Sequence, residues 1–150
     1  MSVFEDFEEI MTHAHFWNWA PDWNVAKEIY EKIPDSYSVL TPFAYSYLEE
    51  MIRTTTLDYG LPLFDRNKQQ VKVRVGTSLV NFAMEENKKN VEYVKMLEYI
   101  KKHFKHSDAN LNENGRNNVV HGHLHPRFWS QESFEALLHD IAKLSKFSKF

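Results

Sequence analysis

The sequence predicts an all-α fold, a compact bundle of about five to seven helices formed by residues 1–150 as a single domain. Three observations carry this expectation. Apolar residues recur at three- and four-residue intervals in every clearly periodic stretch except Val71 to Val75. Helix-start and helix-stop residues bracket those stretches. At 150 residues, 43% hydrophobic and 15% aromatic, the chain has material for one substantial core.

The elements follow in order. Ser2 and Glu5 have capping-box spacing, after which Val3, Phe4, Phe7, Ile10, Met11 and Ala14 keep one helical face up to about Trp17. Pro21-Asp22 restarts the chain into a short helix with Val25, Ile29 and Ile33 on its apolar face, closed by Pro34. Thr41 and Pro42 read as an N-cap and a first helical residue for a helix carrying Ala44, Leu48, Met51, Ile52 and Thr55, with Gly60 ending it. Leu61 to Asn67 reads as a loop. Val71, Val75, Leu79, Phe82 and Ala83 then fit a helix, although Val71, Val73 and Val75 also alternate as a short strand would; helix is preferred because no partner strand is evident. A further helix holds Val91, Val94, Met96 or Leu97, Ile100 and Phe104, across a short connection at Glu86 to Asn90. Ser107 to Gly115 is polar loop material leading to a short helix from about Arg116 to Pro126. Trp129 and Phe134 stand as a hydrophobic staple around an N-cap at Ser130, and Phe134, Leu137, Leu138, Ile141 and Leu144 build the last helix. Phe147 and Phe150 follow in a tail that either frays or docks.

Composition narrows function. The chain has no cysteine, so disulfides, thiolate nucleophiles and zinc-finger ligands are excluded, and any metal would depend on histidine and carboxylate. No apolar run approaches the roughly 20 residues that cross a bilayer, and the N-terminus is acidic where a signal peptide is basic, so no membrane association and a cytoplasmic location are expected. The net charge of −3 argues against a strong sequence-independent nucleic-acid binder. That average conceals an asymmetry: residues 1–50 hold ten acids and two bases, and residues 51–150 hold sixteen bases and eleven acids. Phe16, Trp17, Trp19 and Trp23 form an aromatic cluster in the acidic half, where core or dimer packing is a better account than base stacking.

The stretch with chemical content is Arg116-Asn117-Asn118-Val119-Val120-His121-Gly122. It joins a permanent cation to a side chain that exchanges protons near neutral pH, the pairing that phosphodiester cleavage requires. On a helix Asn117 and His121 share a face, while Arg116 lies about 140° and 7.5 Å from His121. One helix therefore makes an incomplete site, and two copies about a two-fold axis would supply two arginines and two histidines to one cleft. Gly115 leaves the amides of the helix start open to a phosphate oxygen. His121, His123 and His125 also form a His-x-His-x-His run, a second and weaker reading in which these residues bind zinc or nickel.

An arginine followed by a polar residue and, four to six residues on, a histidine resembles the signature of the HEPN domain family. Thr41 to Arg53 looks like that family's early core helix and Phe134 to Phe147 like its closing one. The resemblance implies a homodimeric, metal-independent endoribonuclease that needs no cofactor and leaves a 2′,3′-cyclic phosphate, serving as an RNA-cleaving toxin or phage-defence effector. In that role Arg116, Asn117 and His121 are the catalytic residues; some members use an acid on the early helix to position the motif, but for Glu49 and Glu50 surface ion pairing is the better account. The family also includes inactive modules, so the alternative is a helical module that binds a nucleotide or a partner such as a nucleotidyltransferase antitoxin.

Overall fold

The computed structural model describes residues 2–62, 64–70, 73–104 and 130–150. Among them lie six α-helices: α1 (Val3–His13), α2 (Ala20–Lys32), α3 (Tyr37–Arg53), α4 (Gly76–Glu86), α5 (Val91–Ile100) and α6 (Gln131–Ser145). Three 3-10 turns, Phe16–Asn18, Pro34–Ser36 and Lys101–Phe104, link or extend them. The described residues contain no strand, only an isolated bridge between Phe64 and Gln70.

Local chemistry sets the helix ends. Ser2 and Glu5 form the expected capping box: Glu5 N–H donates to Ser2 Oγ at 3.3 Å and Ser2 N–H to the Glu5 carboxylate at 3.0 Å. Asn90 caps α5 by accepting from Tyr93 N–H, and Ser130 caps α6 by accepting from Ser133 N–H. Gly76 opens α4 with φ +58°, a conformation that favours glycine, and its N–H donates to Glu49 of α3 at 3.0 Å.

α6 packs on α1, α3 and α5, while α1 packs on α2, α3 on α4, and α4 on α5. Phe134, Leu137, Leu138, Ile141 and Leu144 are all buried, so the apolar face read from the sequence is the face that packs. Beside it lies an aromatic junction. Trp23 meets Phe7, Phe43 and Tyr47 edge-on at 5.9, 4.8 and 4.9 Å between centroids, and Tyr30 meets Phe134 at 5.3 Å. The buried indole N–H of Trp23 has no hydrogen-bond partner among the described residues, and its contacts there are ring packing. Phe16 and Trp19 belong to the same packing, through Tyr47. Trp17 does not: it turns out at φ 51° with 69% of its surface exposed and touches Tyr59. Phe147 docks on Tyr93, and Phe150 stacks on Tyr59.

Three expectations are corrected. The apolar stripe of α2 is only in part its core face: Ile29 packs against the core, but Val25 and Ile33 are 53% and 58% exposed, and the buried residues are Trp23, Ala26 and Tyr30. The apolar arc of this helix is broad enough for either set, and the bulky aromatics bury more area. α3 starts at Tyr37, four residues before the predicted cap, and ends at Arg53 before a series of turns, well short of Gly60. Thr41 Oγ1 bonds back to Tyr37 O at 2.6 Å and Pro42 lies inside the helix, where it has no N–H to give the carbonyl four residues back. Finally, α4 begins at Gly76, and Val75 is extended. Asp58 holds the chain before it, accepting from Arg74 N–H and pairing with the Arg74 guanidinium at 2.9 Å.

These facings give opposite expectations for one helix. Trp23→Ala should lower the free energy of unfolding by about 3–5 kcal/mol, whereas Val25→Ser and Ile33→Ser should each change it by no more than about 0.5 kcal/mol. Urea unfolding followed by far-UV circular dichroism measures both, and a larger loss at Val25 than at Trp23 would contradict the facing of α2.

Candidate functional site

The predicted catalytic residues Arg116, Asn117 and His121, together with His123 and His125, lie outside the described residues, as do the predicted helix from Arg116 to Pro126 and the staple residue Trp129. The described fold fixes the two points between which that segment runs: Phe104 at the end of the Lys101–Phe104 turn, and Ser130 at the start of α6. Both are anchored. Phe104 is fully buried and its carbonyl accepts from Thr77 Oγ1 at 2.8 Å, while Ser130 caps α6 and its hydroxyl donates to Ser133 Oγ at 2.7 Å.

A buried charge cluster joins the first anchor to α6. Asp140 stands three residues after Leu137 and four before Leu144, on the helix face that otherwise buries apolar side chains. Its carboxylate meets His103 Nε2 at 2.8 Å and Lys102 Nζ at 3.1 Å. Its side chain is 5% exposed, against 11% for His103 and 40% for Lys102, so the ammonium reaches in from the surface to a carboxylate that does not reach out. Burial by itself disfavours the Asp140 carboxylate, but the hydrogen bonds from His103 and Lys102 outweigh it and hold its pKa below the ordinary value. The edge of Tyr45 borders His103 and Phe104, closing the cluster from α3.

Three further polar contacts fasten α6 to α1 and α2. His139 Nδ1 lies 3.2 Å from the buried Asp6 of α1, whose pKa is raised because burial outweighs its contact with His139. Tyr30 of α2 donates to Glu135 at 2.9 Å and accepts from Gln131, and its burial pushes the phenol up to about 12.

Glu49 and Glu50 both have structural work within the described fold. Glu49 accepts from Gly76 N–H, and Glu50 pairs at 2.6 Å with Arg53, which in turn donates to Arg74 O at 2.9 Å. Among the described residues no group of three or more histidine, aspartate or glutamate side chains is placed to hold a metal, and no helix is long and apolar enough to cross a membrane.

Sequence reasoning did not single out Asp140, His103 or Asp6. The available signal was an acid in the middle of an apolar period, as at Asp140 between Leu137 and Leu144 and at Asp6 beside Phe7 and Ile10. Such an acid requires a buried partner. No protein-family model matches the chain, and no curated protein or solved structure matches it.

Asp140→Asn should destabilise the fold at pH 7 by about 2–3 kcal/mol, since it leaves His103 and Lys102 facing an uncharged group. Because the folded-state pKa of Asp140 is depressed below 3.8, the carboxylate stabilises the fold above the unfolded-state pKa. That contribution is lost as pH falls through the folded-state value. The gap between wild type and Asp140→Asn should therefore be widest above about pH 5 and narrow progressively as the pH falls below 3.8 in urea titrations. Asp6, with its raised pKa, acts in the opposite sense and is unchanged between the two proteins.

Proposed function

We propose that this chain is a metal-independent endoribonuclease of the HEPN type, the kind of protein that acts as an RNA-cleaving toxin or phage-defence effector. The observation that carries the reading is the Arg116-Asn117-x3-His121-Gly122 sequence. The all-helical architecture of the described residues, with the closing helix packed on α3 and α1, is compatible with it.

In the proposed reaction His121 accepts the proton of the 2′-hydroxyl, the 2′-oxygen attacks the adjacent phosphorus, and the bond to the 5′-oxygen breaks. The products are a 2′,3′-cyclic phosphate and a 5′-hydroxyl whose proton comes from a second acid. His121 of the partner subunit is the group proposed for that second transfer, because each copy of the Arg-Asn-x3-His motif supplies one histidine and a two-fold axis brings a second. Arg116 neutralises charge on the equatorial phosphate oxygens, and Asn117 orients one of these groups by hydrogen bonding. The nucleophile belongs to the substrate, so the reaction needs no metal-activated water. DNA, which lacks the hydroxyl, is not cleaved.

Purified protein should cleave single-stranded RNA in excess EDTA and leave single-stranded DNA intact, and it should sediment as a dimer. Arg116→Ala and His121→Ala should each lower the rate by at least ~100-fold, and Asn117→Ala by less. His123→Ala and His125→Ala should leave the rate nearly unchanged. Loss of activity on chelation with recovery on adding zinc, or a loss at His123 or His125 equal to that at His121 in a folded dimer, would shift the site to the histidine run. Tight dimers that bind RNA without cutting it would point to the inactive binding module instead.

A further inference from the structure

α5 and α6 enclose a groove of about 250 Å³ lined by Lys95, Met96, Tyr99 and Ile100 from α5 and by Asp140 and Lys143 from α6. The α5 residues fall at i, i+1, i+4 and i+5 and the α6 residues at i and i+3, so each helix gives the groove one continuous face. Met96 and Ile100 make its wall apolar. Tyr99 is 57% exposed, and the Lys102 ammonium sits 3.8 Å from the centre of its ring, held there from the other side by Asp140 at 3.1 Å.

The charge around this groove is unbalanced. Each neighbouring carboxylate among the described residues is already engaged: Glu92 with Lys146 at 2.7 Å, Glu98 with Lys101 at 3.1 Å, and Asp140 with His103 and Lys102. Lys95 and Lys143 belong to no ion pair among the described residues. Two uncompensated ammonium groups thus rim a cleft with an aromatic wall. Such a cleft favours a ligand with a flat apolar body and an anion next to it. A volume below the roughly 300–1,000 Å³ of drug-sized sites suits a single base. Stacking on an aromatic side chain beside basic residues is the general mode by which single strands are held without sequence preference.

We propose that this groove is a nucleotide subsite for single-stranded RNA, in which one base stacks on the exposed part of Tyr99 while the adjoining phosphates pair with Lys95 and Lys143. The subsite rests on the reading of the chain as an RNA-cleaving protein and adds a substrate contact separate from Arg116 and His121. It is built at the end of α5, directly before the Lys101–Phe104 turn from which the motif-bearing segment departs. A strand seated there gains orientation as well as affinity, because both phosphate partners lie on helices whose packing is fixed by the buried core.

The full chain, titrated against a short fluorescein-labelled 2′-O-methyl oligouridylate that it cannot cleave, tests this by fluorescence anisotropy over a series of salt concentrations. Tyr99→Ala should weaken binding about tenfold, and Tyr99→Phe, which keeps the ring, should bind as wild type does. The Lys95→Gln, Lys143→Gln double variant should reduce the slope of log affinity against log salt by about 1.4. Lys88→Gln, outside the groove, should change neither quantity. Circular dichroism establishes that each variant is folded. Absence of binding by the wild type, or normal binding by folded Tyr99→Ala and double-lysine variants, would overturn the proposal. Cleavage of the unmodified oligouridylate, assayed in parallel, keeps the two readings apart. If the wild type cuts RNA while groove variants bind normally, the subsite is wrong and the nuclease reading stands. If binding depends on Tyr99 and the lysines but no RNA is cut, the subsite stands and the nuclease reading fails.

Discussion

Burial of the apolar face of α6 is the constraint on which the rest of the described structure depends. This helix is the common neighbour of α1, α3 and α5. Each fully buried leucine, isoleucine or phenylalanine on it contributes about 1.5–3 kcal/mol. Apolar burial is indifferent to register, however, and the polar contacts of the same helix supply what it lacks. Glu135 and Gln131 meet Tyr30 of α2, His139 meets Asp6 of α1, and Asp140 meets the turn after α5. Sliding α6 by one turn would leave buried carboxylates without partners, a cost of several kcal/mol. The helix is therefore held along its axis by charge and across it by packing.

The parts of the fold that were readable from the sequence are those where a local signal and the tertiary outcome coincide. α6 is the clearest case, with an N-cap at Ser130 and five periodic apolar residues that all become buried. The capping box at Ser2 and Glu5 is another. α2 shows how the same reasoning misleads. Val25, Ile29 and Ile33 keep helical spacing, but Trp23, Ala26 and Tyr30 adjoin them on the same broad arc, and only the packing of rings from α1, α3 and α6 decides between the two. α3 shows a second limit. Thr41-Pro42 has the composition of a helix start, yet the chain is already helical at Tyr37 because the preceding turn at Pro34–Ser36 leads straight into it. The extended approach to α4 was undecidable for a related reason: the partner of Arg74 is Asp58, sixteen residues earlier.

The candidate site divides along the same line. Arg116, Asn117 and His121 could be proposed from the sequence because the chemistry invoked for them is local, a matter of residue types within one short stretch. The Asp140, His103 and Lys102 cluster could not, since Asp140 lies 37 residues beyond His103 and only the fold unites them. The groove between α5 and α6 is likewise invisible as a linear pattern. Its lysines look like ordinary solvated charges until the carboxylates around them are found to be occupied. The charge asymmetry of the chain then acquires a location, because two of the surplus bases of residues 51–150 rim one aromatic cleft.

The pairing of α1 with α6 also bears on how the molecule is made. Asp6 and His139 meet across 133 residues of sequence, and the apolar face of α1 has α6 as a principal neighbour. During synthesis Phe7 and Ile10 emerge well before α6, so the side chains of α6 that cover them arrive only when that helix has left the ribosome. Docking of α2 can shield part of that face, through Trp23 and Tyr30, but the remainder stays uncovered until α6 arrives. Until α6 is made, the nascent chain thus carries an apolar surface that its own later residues must cover, and transiently exposed surface of that kind is what makes partly folded chains prone to aggregate.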